Sequence, residues 1–289
     1  MARGLDHIVH AVRDLGAAAD LYRRLGFTVS SRNRHPPEWG TENHIVQFNG
    51  VYLELLGMGD TTQTVPHDKR HFSFGAFNRE FLTRSQGLSM LALEGNGASD
   101  ADAFREAGIG DFRPFELIRD ARRPDGSTVQ LAFSLVFARD ARAPDFGAFS
   151  IRHHFPEYFW NPERQVHGNT ATGVAGVVMV AENPSDHHVF LSAFAGARDP
   201  MATSAGQTLK TPRGDIQILT PSVFRDRFGA EPPATANGAR LAALRISVRR
   251  RDSLEAALEA GRVSSHGWLG RIVVGPETAL GATLAFEGS

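Results

Sequence analysis

Cysteine is absent from the 289-residue sequence, which excludes disulfides, thiol nucleophiles and thiolate metal sites. Long apolar runs are missing too, since the longest, Gly173 to Ala181, is far too short to cross a bilayer. Residues 1–12 interrupt their short apolar stretch with charges and histidines, which is not the pattern of a signal peptide. We therefore expect a cytoplasmic protein without a membrane partner.

The sequence also lacks an excess of charge of either sign. Lys and Arg number 31 and Asp and Glu 32, a balance that argues against nucleic acid as a partner. No P-loop, dinucleotide fingerprint or Gly-x-Ser-x-Gly elbow is present, so nucleotide cofactors and serine hydrolysis are not expected. Tyr is scarce, with 3 residues against 20 Phe, which favours an apolar cavity for an aromatic or terpenoid-like ligand.

What the sequence does contain is an internal repeat of strands and helices. The first copy predicts a strand over Leu5–Val12, a helix capped by Asp14, and three further strands. The last two of these strands flank Asn49-Gly50, which is a strong hairpin signal. The predicted strands after the helix are Phe27–Ser30, His44–Phe48 and Val51–Leu56.

The β-α-β-β-β pattern returns three times, at Leu88, Gly173 and Leu241. The second copy includes strands Phe115–Ala121, Thr128–Phe137 and Phe149–His153, with a Pro124-Asp125-Gly126 turn after the first of these. One curved sheet cannot bury its concave face alone, so we predict an α+β fold of four βαβββ modules paired into two halves with curved mixed sheets. The predicted domains are residues 1–155, a linker over 156–172, and a degenerate second domain over 173–289.

The first half resembles the vicinal oxygen chelate superfamily, in particular its glyoxalase-like branch. The residues that carry the resemblance are Gly4-Leu-Asp-His-Ile-Val-His-Ala-Val-Arg-Asp-Leu, Leu25-Gly26-Phe27, His35-Pro36, Trp39-Gly40-Thr41, Asn43 and Tyr52-Leu-Glu-Leu-Leu. The second half is similar only in the rhythm of its apolar residues. The resemblance implies that two modules form a cup around a divalent metal.

Carried onto this sequence, the resemblance implies three metal ligands, His7, Glu54 and His153, with Glu54 also catalytic. Strand alternation allows these side chains to line one cup, and two imidazoles with one carboxylate suit Fe, Mn, Zn or Ni. The alternative is that no metal binds, that both histidines are structural, and that Glu54 pairs with an arginine. In the second half, Gly176 or Ala175 stands in the place of His7 and Gln217 in the place of Glu54, so no metal site is expected there.

A substrate site is expected around the same cup. Its predicted lining combines residues on the cup faces of strands with residues of a Trp-Gly-Thr-Glu-Asn loop that suits a cup mouth. The alternative for this loop is an ordinary ordered segment anchored by Trp39. His10 lies on the other face of its strand and is expected to pack against the first helix. The predicted substrate-binding residues are Val9, Trp39, Thr41, Asn43, Tyr52, Ile151 and His154.

Two functions remain open from the sequence. The first is a metal-dependent lyase, isomerase or dioxygenase acting on a small apolar oxygenated molecule. The second is a metal-free protein of the same fold that binds or sequesters a small molecule, such as a drug. Fold does not decide between them. A homodimer is compatible with either function, and the metal content of the purified protein would separate the two.

Overall fold

The computed structural model describes residues 2–122, 126–197 and 200–288. No helix within these ranges has the length and hydropathy that a membrane span requires. The elements of the first half are β1 (Leu5–Ala11), α1 (Leu15–Arg24), β2 (Asn33–Arg34), β3 (Thr41–Gln47), β4 (Tyr52–Met58), α2 (Phe74–Arg84), β5 (Gly87–Glu94), α3 (Ala98–Glu106), β6 (Phe115–Arg122), β7 (Thr128–Ala138) and β8 (Gly147–His153). Those that follow are α4 (Pro156–Phe159), β9 (Ala171–Val180), α5 (His188–Ala195), β10 (Met201–Thr203), β11 (Gly206–Lys210), β12 (Asp215–Leu219), α6 (Pro221–Phe228), β13 (Arg240–Val248), α7 (Arg251–Ala260), β14 (His266–Trp268), β15 (Arg271–Val274) and β16 (Thr283–Gly288).

The strands form two eight-stranded mixed sheets of the same topology. The first has the order β2-β3-β4-β1-β5-β8-β7-β6, and the second has the order β10-β11-β12-β9-β13-β16-β15-β14. In each sheet the first strand of one module pairs in parallel with its own last strand and antiparallel with the first strand of the next module. The predicted α+β fold of four paired βαβββ modules is therefore confirmed.

The predicted strand at Phe27–Ser30 is wrong, because the short strand of this module lies at β2 instead. The backbone of this stretch is engaged by the segment between the halves: the Thr28 N–H donates to His167 Nδ1 at 3.1 Å and its hydroxyl to the Val166 carbonyl at 2.6 Å. Pro124 and Asp125 of the predicted turn lie outside the described residues.

One apolar core extends across both sheets. Phe27 of the first half and Phe286 of the second stack within it, with ring centroids 6.1 Å apart. His10 also joins the halves: its Nδ1 lies 3.0 Å from the Tyr22 hydroxyl on α1, as predicted, and its Nε2 lies 3.1 Å from the Leu280 carbonyl. The division into separate domains stays a prediction.

In each half, a helix follows the last strand of the first module. Helix α6 of the second half packs directly on the sheet, whereas helix α2 of the first half leaves a cavity beside its first turn. In the second half, Phe224 and Phe228 of α6 pack on Val178 and Val180 of β9. In the first half, α2 begins at the N-cap Ser73 and buries Phe81 and its neighbours against the far end of β1, while its first turn packs beside an open cavity. No helix was predicted from the sequence at the position of α2.

Candidate functional site

Two neighbouring strands, β1 and β4, carry the polar side chains of this cavity. In their parallel register His7 lies opposite Tyr52, and Val9 lies opposite Glu54. His7 and Glu54 are almost fully buried, at 2% and 4% exposure, within strands that are otherwise mostly apolar. A carboxylate in such a place needs compensating partners.

Glu54 accepts a hydrogen bond on one oxygen and has an imidazole near each oxygen. Asn43 of β3 donates from Nδ2 to Oε1 at 2.6 Å, and its own amide oxygen accepts from Asn33 at 3.1 Å, which fixes the orientation of the amide. His35 Nε2 lies 3.4 Å from Oε1, and His7 Nε2 lies 3.7 Å from Oε2. The carboxylate is thus held between two imidazoles.

The ring of His35 belongs to the loop before β3. Its Nδ1 lies 2.8 Å from the Thr41 hydroxyl, and its Nε2 lies 3.1 Å from the Asn43 amide nitrogen. Burial lowers the pKa of His35, although the nearby charge of Glu54 opposes this shift. The ring is therefore held neutral, with Nδ1–H donating to Thr41 and Nε2 accepting from Asn43.

Asp6 orients the ring of His7 through the nitrogen that faces away from Glu54. The β1–β5 ladder shifts register between Leu5 and His7, and this irregularity at Asp6 directs its side chain toward the site. His7 Nδ1 donates to Asp6 Oδ1 at 2.7 Å, and His153 Nε2 lies 3.1 Å from Asp6 Oδ2. Burial would raise the pKa of Asp6, but His153 and His7 outweigh it and hold that pKa well below its usual range. The ionised Asp6 accepts a hydrogen bond from His7 Nδ1, which orients the ring so that Nε2 faces Glu54.

Aromatic side chains enclose the polar group. The cavity has a volume of about 50 Å³, enough for a few water molecules. Tyr52 stacks on His7 with centroids 4.3 Å apart and planes at 13°. Burial raises the pKa of Tyr52 well above its usual value, and Asp6 and Glu54 add to the shift, so the phenol keeps its proton. The lining residues are His7, His35, Trp39, Asn43, Ile45, Tyr52, Glu54, Phe74, Leu117, Arg119, Phe133, Leu135, Phe149, Ile151 and Phe159.

The structure brings some of the predicted substrate-binding residues together and leaves others outside. Trp39, Asn43, Tyr52 and Ile151 line the cavity with His7 and Glu54. Val9 packs in the same apolar cluster without lining the cavity.

Two further predicted residues lie elsewhere. Thr41 faces a neighbouring cavity at the mouth, where it is bonded to His35. His154 Nε2 lies 2.7 Å from the Ser134 hydroxyl.

The predicted metal ligands fit a metal ion only in part. His7 and Glu54 share the cavity, and the Asp6–His7 contact is one that metal-bound histidines commonly make. His153 instead lines a second cavity with Trp160 and Arg213, on the other side of Asp6. Over the described ranges, no three His, Asp or Glu side chains are grouped as a bound metal would require. The three-ligand site stays a prediction.

The second module of the first half explains why the set of metal ligands is incomplete. The residues that β5 and β8 contribute to the apolar cluster of this cavity are Met90, Ala92, Phe149 and Ile151, none of which is a metal ligand. In the second half, Gln217 pairs with Val178 as Glu54 pairs with Val9, which puts Gly176 at the position of His7. Donor side chains at these strand positions are thus confined to β1 and β4.

Three polar or charged residues of the site were not predicted from the sequence: Asp6, His35 and Arg119. Arg119 had a detectable signal, because Phe115, Leu117 and Arg119 alternate along β6 and therefore share a face. His35 is placed by a loop and Asp6 by an irregularity in the ladder, and neither has a periodic signal.

A family model described as a glyoxalase-like domain matches residues 5–194. A hypothetical protein from Staphylococcus aureus matches 99% of this chain and 100% of its own, with a TM-score of 0.67 and 12% identity. A mutant 4-hydroxymandelate synthase from Streptomyces coelicolor (99% and 92%, TM-score 0.56, 12% identity) and a halotolerant catechol dioxygenase (100% and 87%, TM-score 0.53, 9% identity) are also similar. No curated protein matches significantly. At these identities the similarity shows the fold.

Proposed function

The chain belongs to the glyoxalase-like domain family, and on this premise we propose that its first-half cavity is the active site of an enzyme acting on a small oxygenated organic molecule. The observation that carries the proposal is the carboxylate of Glu54, buried at the base of an aromatic cavity between two imidazoles. A purely structural carboxylate on an apolar strand would be easier to replace by an apolar residue. A carboxylate retained there is a candidate for proton transfer.

The partners of Glu54 define its role. Asn43 donates to Oε1 at 2.6 Å, whereas Oε2 accepts no hydrogen bond from the described residues and has His7 Nε2 3.7 Å away. Oε2 is therefore free to accept a proton from a substrate in the cavity. The hydroxyl of Tyr52, which keeps its proton, is a donor in the same cavity. Together these groups suit proton abstraction beside a carbonyl, the step shared by isomerases and lyases.

A divalent metal remains part of the hypothesis as the sequence resemblance implies it. His7 and Glu54 would hold it, with substrate or water completing its shell, and it would supply polarisation of a substrate oxygen. The third predicted ligand, His153, contacts Asp6 instead of the cavity. The proton transfer proposed for Glu54 is therefore formulated without the metal.

Metal-free binding without chemistry is the second candidate. It is favoured by the apolar residues Leu135, Phe149 and Ile151, which the second module of the first half contributes to the cavity lining. This candidate has no use for a carboxylate whose Oε2 is left open, and the effect of removing that charge separates the two functions.

The test is exchange of substrate C–H protons for deuterium, followed by proton NMR over a panel of small keto and hydroxy compounds. We expect Glu54→Gln to lower the exchange rate of any active compound by about 100-fold or more, because the amide cannot accept the proton. Glu116→Gln is the matched control, since Glu116 lies on the exposed face of β6. Unchanged exchange in Glu54→Gln, or compounds that bind without exchange, would contradict the proposal.

Metal dependence is tested separately on the same proteins. Elemental analysis after loading with Zn, Fe, Mn or Ni should show one ion per chain that is lost in His7→Gln and Glu54→Gln. Loss of the ion in His153→Gln as well would support the predicted three-ligand set. Full retention of the ion in that variant would exclude His153 as a ligand.

A further inference from the structure

Arg119 brings a positive charge into the cavity from the second module of the first half. It follows Leu117 at strand spacing on β6, and both side chains line the cavity together with Glu54. Arg119 is half-buried, in contrast to its strand neighbours Ile118 and Asp120, which face solvent. The cation therefore points inward from the edge of the sheet.

No carboxylate of the described residues pairs with this guanidinium. Asn43 donates to Glu54 Oε1, and His35 and His7 lie near the two oxygens of this carboxylate. Arg119 interacts with Glu54 only through charge at longer range. Burial lowers the pKa of Arg119, which reflects the loss of hydration around its charge. A partly desolvated cation without an ion pair is unfavourable unless a ligand completes it.

We propose that Arg119 binds the carboxylate of the substrate, so that the cavity takes a small monocarboxylic acid. This inference rests on the proposed function and names its substrate class. The planar guanidinium matches a carboxylate through two parallel hydrogen bonds. The negative charge of Glu54 would repel an anion at its own end of the cavity, so the substrate lies with its carboxylate at Arg119 and its reacting carbon toward Glu54.

The size of the cavity determines which small molecules can be used to test this inference. At about 50 Å³ it accommodates a molecule of a few heavy atoms, such as propionate. Propionamide has the same shape and heavy-atom count but no charge, so the difference between the two isolates recognition of the anion. The protein has 3 tryptophans and hence three indole N–H signals, of which the Trp39 signal is assigned by its loss in Trp39→Phe and reports on the cavity.

The experiment titrates metal-free protein with each probe and follows the Trp39 indole signal by NMR. We expect propionate to bind about tenfold or more tightly than propionamide in the unmodified protein, as a charge-assisted pair predicts. The preference should vanish in Arg119→Gln and persist, weakened, in Arg119→Lys. Arg113→Gln is the matched control, because it removes the same charge from an exposed position just before β6.

Equal affinity for the two probes, or a preference that survives in Arg119→Gln, would overturn the inference. Failure of both probes to move the Trp39 signal would also overturn it. None of these results alters the deuterium-exchange test of Glu54, so the proposed function stands or falls separately.

Discussion

Acidification should destabilise the fold through His10, which is fully buried where the two halves meet. Its Nε2 lies 3.1 Å from the Leu280 carbonyl, so Nε2 donates and Nδ1 accepts from the Tyr22 hydroxyl at 3.0 Å. This network suits the neutral ring, because protonation of Nδ1 removes the acceptor for the Tyr22 hydroxyl hydrogen. Burial lowers the pKa of His10 from 6.5 to about 4, and the Leu280 carbonyl opposes only part of that shift.

The sign and the size follow from proton linkage. Between pH 6.5 and pH 4 the unfolded chain binds a proton at His10 that the folded chain does not, so stability falls as the pH falls through this range. At about 1.4 kcal/mol per pKa unit, the whole shift corresponds to about 3 kcal/mol of unfolding free energy. Between pH 7 and pH 5 the same relation gives a loss of about 2 kcal/mol.

The assay is urea unfolding at pH 7, 6 and 5 for the unmodified protein and for His10→Gln. The variant will be less stable at pH 7, because it loses packing and at least one hydrogen bond. Buried groups such as His35 and His167 titrate in both proteins, so the difference between their pH profiles isolates His10. We expect the gap in unfolding free energy to narrow by about 2 kcal/mol from pH 7 to pH 5. Parallel profiles would refute the reasoning.

Two further predictions concern the site and the second half. Asp6→Asn replaces the carboxylate that orients His7 with a neutral amide, whose nitrogen can instead donate to Nδ1. The C–H exchange rate should therefore fall at least tenfold, and the nitrogen NMR shifts of His7 should report a change of tautomer; unchanged shifts would contradict this role. Phe224→Ala empties a fully buried position under α6 and should lower the unfolding free energy by about 3–5 kcal/mol in urea unfolding, while the Trp39 indole signal stays in place. The half-exposed Phe155→Ala is its control, and an equal loss there would contradict the packing argument.

Much of the fold could be predicted from the local periodicity of apolar residues. Alternation along β1 and β4 already placed His7 and Glu54 on inward faces, because strand side chains alternate regardless of context. The repeated strand rhythm indicated four modules, and the ladder confirms them. Helix α2 was not predicted from its sequence, and it packs its apolar side chains beside a cavity that exists only in the assembled half.

The candidate site was predictable only where it follows strand alternation. Simple alternation would place Asp6 and His7 on opposite faces, but the shift in the β1–β5 register at Asp6 lets both reach the same site. For His153 the alternation was followed correctly, yet the last β5–β8 pair is Glu94 with Ile151, so His153 lies beyond the end of β5. There it meets Asp6 rather than Glu54. Neither outcome is encoded in the spacing of residues along one strand.

The two modules of the first half contribute opposite chemistry to one cavity. The first supplies the carboxylate of Glu54 and the imidazoles of His7 and His35. The second supplies apolar side chains and Arg119, the single arginine or lysine among the described residues that line the cavity. A symmetric pair of modules would give a substrate two equivalent orientations, whereas acidic and cationic ends give it one. Under the proposed function, the second module therefore positions the substrate through Arg119, and the first module acts on it through Glu54.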